Sequence, residues 1–207
     1  SRSMNNSGCN EMYPSFADCH YHKGDLDSAF KYYSKAIEYD LKCLKTMNVN
    51  QRPKYWEHCR SSFENAIKMS SKLPDDKDVA CVAYNALLVS KSDIMNYKET
   101  TWQQVKNSLD ENDAAIEFFY DADRLLCALV LKKDFDSPKL VTLGTSDTDV
   151  WQPLEQFFTQ GGKVYLSPTG ECSYVDVKNE PESCPVRLSE KCVIRRVQST
   201  HDIVNVK

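Results

Sequence analysis

The nine cysteines and four histidines are the groups that could make a thiolate nucleophile with its proton carrier, a metal centre or a disulfide framework. The cysteines are Cys9, Cys19, Cys43, Cys59, Cys81, Cys127, Cys172, Cys184 and Cys192. No two form a C-x2-C pair, so a zinc ribbon or knuckle is not expected. The odd count and the lack of a secretory pattern speak against a disulfide scaffold. Most stand at apolar-phase positions, where a cysteine packs as a small hydrophobe. Reduced, structural thiols in a cytoplasmic protein are the expectation.

The histidines do not assemble a site by spacing either. His58 and Cys59 are adjacent on a predicted helix, so their side chains point about 100° apart and cannot form a dyad with each other. His201 lies beside Ser199 and Asp202, the letters of a triad, but working triads are built from separate elements. His20 and His22 are two residues apart, which turns them to different helix faces and away from a shared metal. Asp121 with Asp123, and Asp147 with Asp149, sit in turns, where aspartate bonds its own backbone. Arg195 and Arg196 alternate across a strand, and no phosphate-cradling glycine loop is present. No catalytic residue, cofactor or metal ligand is expected within this chain.

The chain has 207 residues, 26 Lys+Arg against 30 Asp+Glu, a formal charge of −4, 41% hydrophobic residues and six glycines. That is the composition of a globular protein of one or two domains with enough chain for a core. No apolar run reaches the length of a membrane span, and the acidic balance argues against nucleic-acid binding by bulk charge. Ser1-Arg2-Ser3-Met4 reads as an expression scar.

Helical periods fill the first half. Tyr13, Phe16, Ala17, His20 and Tyr21 fall on one helix face; Gly24 stops that helix and Asp25 caps the next. Leu26, Ala29, Phe30, Tyr33, Ala36 and Ile37 then share a stripe, giving a helical hairpin. Further stripes follow: Trp56, Cys59, Phe63, Ala66 and Ile67 after Pro53; Val79, Val82, Ala83, Ala86, Leu87 and Ser90 after Pro74-Asp75-Asp76; and Trp102, Val105 and Leu109. The aromatics read first as core. Tyr32 and Tyr39 are the candidates for a concave, peptide-binding face.

The stretch Gly24-Asp25-Leu26-Asp27-Ser28-Ala29-Phe30-Lys31-Tyr32-Tyr33-Ser34-Lys35-Ala36-Ile37-Glu38 resembles the second half of a tetratricopeptide repeat. Ala17, Ala29 and Ala36 stand where that repeat needs small residues. Leu41 replaces the usual helix-ending proline, so the helix should run on through Lys42-Cys43-Leu44-Lys45. The resemblance implies a protein partner bound on the helices.

The period changes at Asp113. Ala114-Ala115-Ile116-Glu117-Phe118-Phe119 and Leu125-Leu126-Cys127-Ala128-Leu129-Val130-Leu131 read as buried strands joined in an antiparallel hairpin through Tyr120–Arg124. Leu140-Val141-Thr142-Leu143 is a third strand. Asp149 and Gln152 make a capping box for a helix carrying Trp151, Leu154, Phe157 and Phe158, ended by Gly161-Gly162. Val164-Tyr165-Leu166 and Cys192–Val197 are later strands. The strand, helix, strand order favours an α/β sheet with a parallel portion.

Four segments in this order resemble the opening of a CHAT domain, the caspase-like module found behind tetratricopeptide repeats. They are Ala83-Tyr84-Asn85-Ala86-Leu87-Leu88-Val89-Ser90-Lys91, Glu111-Asn112-Asp113-Ala114-Ala115-Ile116-Glu117-Phe118, Val150-Trp151-Gln152-Pro153-Leu154 through Ser167-Pro168-Thr169-Gly170-Glu171, and Leu188-Ser189-Glu190-Lys191 through Ser199-Thr200. Cys172 and Cys192 depart from the pattern at positions where a Leu and an aromatic are usual. The fold class implied is α + α/β: a tetratricopeptide-type helical region over 1–109, then the first part of a caspase-like sheet domain over 110–207.

The family, by that resemblance, consists of cysteine endopeptidases of bacterial signalling or defence. Their catalytic histidine and cysteine lie in a His-Gly turn and an Ala-Cys-x-Thr/Ser-Gly turn at the ends of later strands. Neither turn occurs in this sequence. The expected role is therefore protein binding: a regulator on the helices, the missing catalytic half, or a second copy through an open sheet edge. The alternatives are an active endopeptidase whose histidine and cysteine lie beyond residue 207 or on a separate chain, and a stand-alone adaptor.

Overall fold

Gly24 adopts a left-handed φ of +78°, which only glycine takes without a Cβ penalty, and there the first helix ends. Asp25 starts the second: its carboxylate accepts the Ser28 amide at 3.2 Å. In the computed structural model, which describes residues 12–144, 151–168 and 192–205, helix α1 (Met12–His22) and helix α2 (Leu26–Thr46) therefore form a hairpin. Helix α2 passes Leu41 without a break. Helix α3 (Arg52–Ser70) enters through a short 3-10 turn, Val49–Gln51, with Pro53 in its first turn. Helix α4 (Lys77–Ser90) is capped by Asp76, which accepts the Asp78 and Val79 amides. Helix α5 (Trp102–Ser108) opens on a Thr101–Gln104 capping box.

The face expected of α1 is only partly covered. Ala17 is buried, but Phe16 is 42% exposed, because α1 packs mainly on the single helix α2. A repeated polar clasp supplements that packing. The Tyr33 hydroxyl donates to Asp18 across α2 and α1, and the Tyr55 hydroxyl donates to Asp40 at 2.6 Å across α3 and α2. Each tyrosine reaches back fifteen residues in sequence to its aspartate.

Among the described residues, the second half forms one five-stranded sheet of order β3-β2-β1-β4-β5. Its strands are β1 (Ala114–Tyr120), β2 (Leu126–Lys132), β3 (Lys139–Gly144), β4 (Lys163–Ser167) and β5 (Val193–Arg196). The first three run antiparallel in succession; β4 lies parallel to β1 and β5 parallel to β4. Asp121 closes the β1–β2 turn, its Oδ1 accepting the amides of Asp123 at 2.9 Å and Leu125 at 2.8 Å. A four-residue helix, α6 (Asp202–Asn205), follows β5.

Alternation along the strands separates two cores. Ala115, Phe119, Cys127, Leu129 and Leu131 face the helices, in one continuous cluster with Phe63, Tyr84 and Leu87. Ile116, Phe118, Ala128, Val130, Val164 and Leu166 face the other way, onto Trp151, Leu154, Phe157 and Phe158. The architecture is α plus α/β: helices, a mixed sheet, then a covering segment. Among the described residues, no helix is long and apolar enough to cross a membrane.

The covering segment corrects one expectation. In place of an α-helix over Trp151–Phe158, the chain makes turns and a 3-10 helix, Glu155–Phe157. Turns and the 3-10 helix together still bury Trp151, Leu154, Phe157 and Phe158 against the sheet. The cap assigned to Asp149, the Thr169-Gly170 turn, Asp147, and Cys9, Cys172 and Cys184 lie outside the described residues.

Candidate functional site at the helix–sheet junction

Glu117 stands in the middle of β1, between Ala115 and Phe119 on the face that meets the helices, and is fully buried. A carboxylate with no water contact must be matched by donors of the protein. Two elements supply them, the end of α4 and the turn after β5. Lys91 caps α4 and forms an ion pair with Glu117 Oε2; its side chain is 8% exposed. Its ammonium also donates to the Ser167 carbonyl at 3.0 Å and to Ser167 Oγ at 2.9 Å, at the C-terminal end of β4. All three ammonium protons thus have acceptors.

The other carboxylate oxygen, Oε1, faces the turn after β5. It accepts the Thr200 amide at 2.8 Å, the Thr200 hydroxyl at 2.7 Å and Ser199 Oγ at 3.4 Å. Since the Thr200 hydroxyl proton goes to Glu117, the Tyr84 phenol, 2.8 Å away, donates to Thr200 Oγ1. Burial, and then the charge of Glu117, hold the Tyr84 phenol well above the usual tyrosine range, so it remains a neutral donor. Ser167 Oγ completes the set by donating to the Gln198 carbonyl at 3.0 Å. Tyr84, Glu117, Ser167, Ser199 and Thr200 are all fully enclosed.

Chemically, this cluster orients rather than reacts. Ser199 Oγ bonds Glu117 and accepts the His201 amide at 3.4 Å, while His201 Nε2 faces Asp202 at 3.1 Å. The Ser199–His201–Asp202 letters therefore form a capped turn and not a nucleophile with its base. The position of the cluster matters more. It lies just under the C-terminal ends of β4 and β5, the side on which open parallel sheets build their ligand sites.

The residues singled out by sequence fall elsewhere. Tyr32 is half-buried on α2, with the rings of Phe16 and His20 at 5.5 and 5.4 Å and Lys35 Nζ 5.6 Å from its centroid. Tyr39 lies two turns further along the same helix and is also half-buried. His20 Nδ1 pairs with Asp25 Oδ2 at 2.9 Å, while His22 borders a groove shared with Tyr21, Asn65 and Lys68, so the two imidazoles do not converge. His58 is exposed and Cys59 buried, on different faces of α3.

Of the described cysteines, Cys59, Cys127 and Cys192 are buried, Cys43 and Cys81 are half-buried and Cys19 is exposed. Burial pushes the Cys81 thiol up to about 11 and drives Cys59 up as well, the direction that makes a thiol unreactive.

Sequence pattern alone assigns Glu117, Lys91 and Thr200 no role. The available signal was a lone glutamate in a strand apolar on both faces, a position that demands a buried cation. Compared with known proteins, the chain matches no family model, no curated protein and no solved structure.

Proposed function

We propose that this chain is the regulatory, protein-binding portion of a CHAT-type caspase-like protein. In this reading the tetratricopeptide-like helices receive a protein partner, and the sheet is the opening of the peptidase module. The observation that carries it is the strand order. An antiparallel hairpin and third strand lie on one side of β1, and two parallel steps, β4 and β5, extend the other. Among the described residues β5 pairs with β4 alone. Its outer edge is where further parallel strands would continue such a sheet, bringing the histidine and cysteine turns at their C-terminal ends.

The chain alone is a binding protein in this account, with no cofactor, and with neither membrane nor nucleic acid as partner. A cytoplasmic setting suits its thiols. The β5 edge also favours a second reading, an active cysteine endopeptidase whose catalytic groups are encoded past Lys207 or sit on a separate chain.

An electrophilic peptide probe for cysteine peptidases tests the first reading. It should label none of the nine cysteines selectively. Selective labelling of one would overturn it. Translation of the reading frame beyond Lys207 separates the two: His-Gly and Ala-Cys-x-Thr/Ser-Gly turns there establish the peptidase, and an immediate stop codon removes it.

A further inference from the structure

The two oxygens of Glu117 serve different parts of the molecule. Oε2 holds Lys91, at the end of α4, and Oε1 holds Ser199 and Thr200, in the turn after β5. Tyr84, two turns back on α4, reaches the same Thr200 hydroxyl. We propose that this junction is a coupling device. It ties the placement of α4, and so of the helices stacked on it, to the placement of the segment 199–205. This is regulation of the peptidase module proposed above. It rests on that reading for its purpose but not for its mechanics.

The mechanics follow from the enclosure. Glu117 is 0% exposed, so its charge tolerates withdrawal of Lys91 poorly. A partner that draws the end of α4 off the sheet removes Nζ from Glu117 and from both Ser167 acceptors together. The remaining way to stabilise the charge is water, and water enters by lifting the Ser199–Thr200 turn that covers it. The reverse holds too: displacing that turn takes three donors from Oε1 and loosens the seat of Lys91. An enclosed ion pair, like the packed core around it, is either seated or open, which suits the junction to switching.

Amide hydrogen exchange on the full chain tests this. Lys91→Met keeps the apolar stem and removes the cation. Exchange at Asp202, Ile203 and Val204, whose amides bond Ser199, Thr200 and His201 carbonyls, should accelerate about tenfold or more relative to the β2 amides of Leu129 and Leu131. Lys91→Met combined with Glu117→Gln leaves no charge to solvate and keeps an acceptor for Thr200, and should bring that ratio back toward the parent. Tyr84→Phe, which removes one donor and no charge, should raise the ratio by about threefold and serves if Lys91→Met does not fold. An unchanged ratio, or no recovery in the double variant, overturns the proposal. Either result leaves the peptidase reading to be decided separately by the groups encoded past Lys207.

Discussion

The two hairpins of this molecule, α1–α2 and β1–β2, place carboxylates in opposite situations. In the helical hairpin Asp18 is exposed at the rim and takes one bond, from Tyr33. In the strand hairpin Glu117 is sealed under the helices and takes bonds from α4 and from the turn after β5. A helix buries one stripe and can swing its polar groups to the rim. A strand covered on both faces has no rim, so a charge placed there must be met by groups from several elements at once. The difference separates a surface that is free to vary from a joint that constrains three segments.

The largest effect should come from breaking that joint. Glu117→Ala leaves the buried Lys91 ammonium without its counter-charge and is expected to cost roughly 3–5 kcal/mol, read as a shift in the denaturant midpoint. Gly162→Ala should follow at about 3 kcal/mol. A Cβ there would meet the Asn112 carbonyl oxygen at 2.0 Å, where the backbone enters β4 beside β1. Loss of less than about 1 kcal/mol in either variant would break the contrast between the sealed sheet and the tolerant helices.

Asp40 refines the comparison, because it is the one helical-region aspartate drawn inside. Burial pushes its carboxyl up to about 6, against the opposing bond from Tyr55. Its folded value lies above the usual carboxylate range near 4, so the folded state holds the proton between about pH 4 and 6. The stability it contributes is full below pH 4 and is lost as pH rises through 6. Asp40→Asn should therefore stabilise the protein at pH 7 by about 2 kcal/mol and flatten its stability profile across that window. A steeper profile would show the sign to be wrong. The smallest effect is reserved for Tyr32→Ala, half-buried on the first hairpin, under about 1 kcal/mol in stability. Its readout is binding: a partner captured by the helices should lose affinity.

How much was legible follows the same divide. Helix ends were readable because Gly24, Asp25, Pro53 and Asp76 act through their own backbone or the next turn. The β1–β2 hairpin was readable because Asp121 closes it locally. The 151–158 segment misled because Trp151, Leu154 and Phe157 fit a helical stripe as well as a three-residue period, and only the sheet beneath decides between them. Glu117 was visible as an oddity in an apolar strand. Its partners were not, because Lys91 and the Ser199–Thr200 turn are brought to it by separate chain reversals that no local pattern encodes. Tyr32 and Tyr39, the candidates for a peptide-binding face, are both half-buried.

The central claim is that helices and sheet are joined through one enclosed ion pair. A double-mutant cycle of Lys91→Met and Glu117→Gln, read by equilibrium denaturation at pH 7, tests it most directly. The two substitutions together should cost less than the sum of the singles by at least about 2 kcal/mol, since the double variant leaves no buried charge unpaired. Additivity to within about 0.5 kcal/mol would contradict it, and would make Lys91 and Glu117 independent neighbours in an ordinary core.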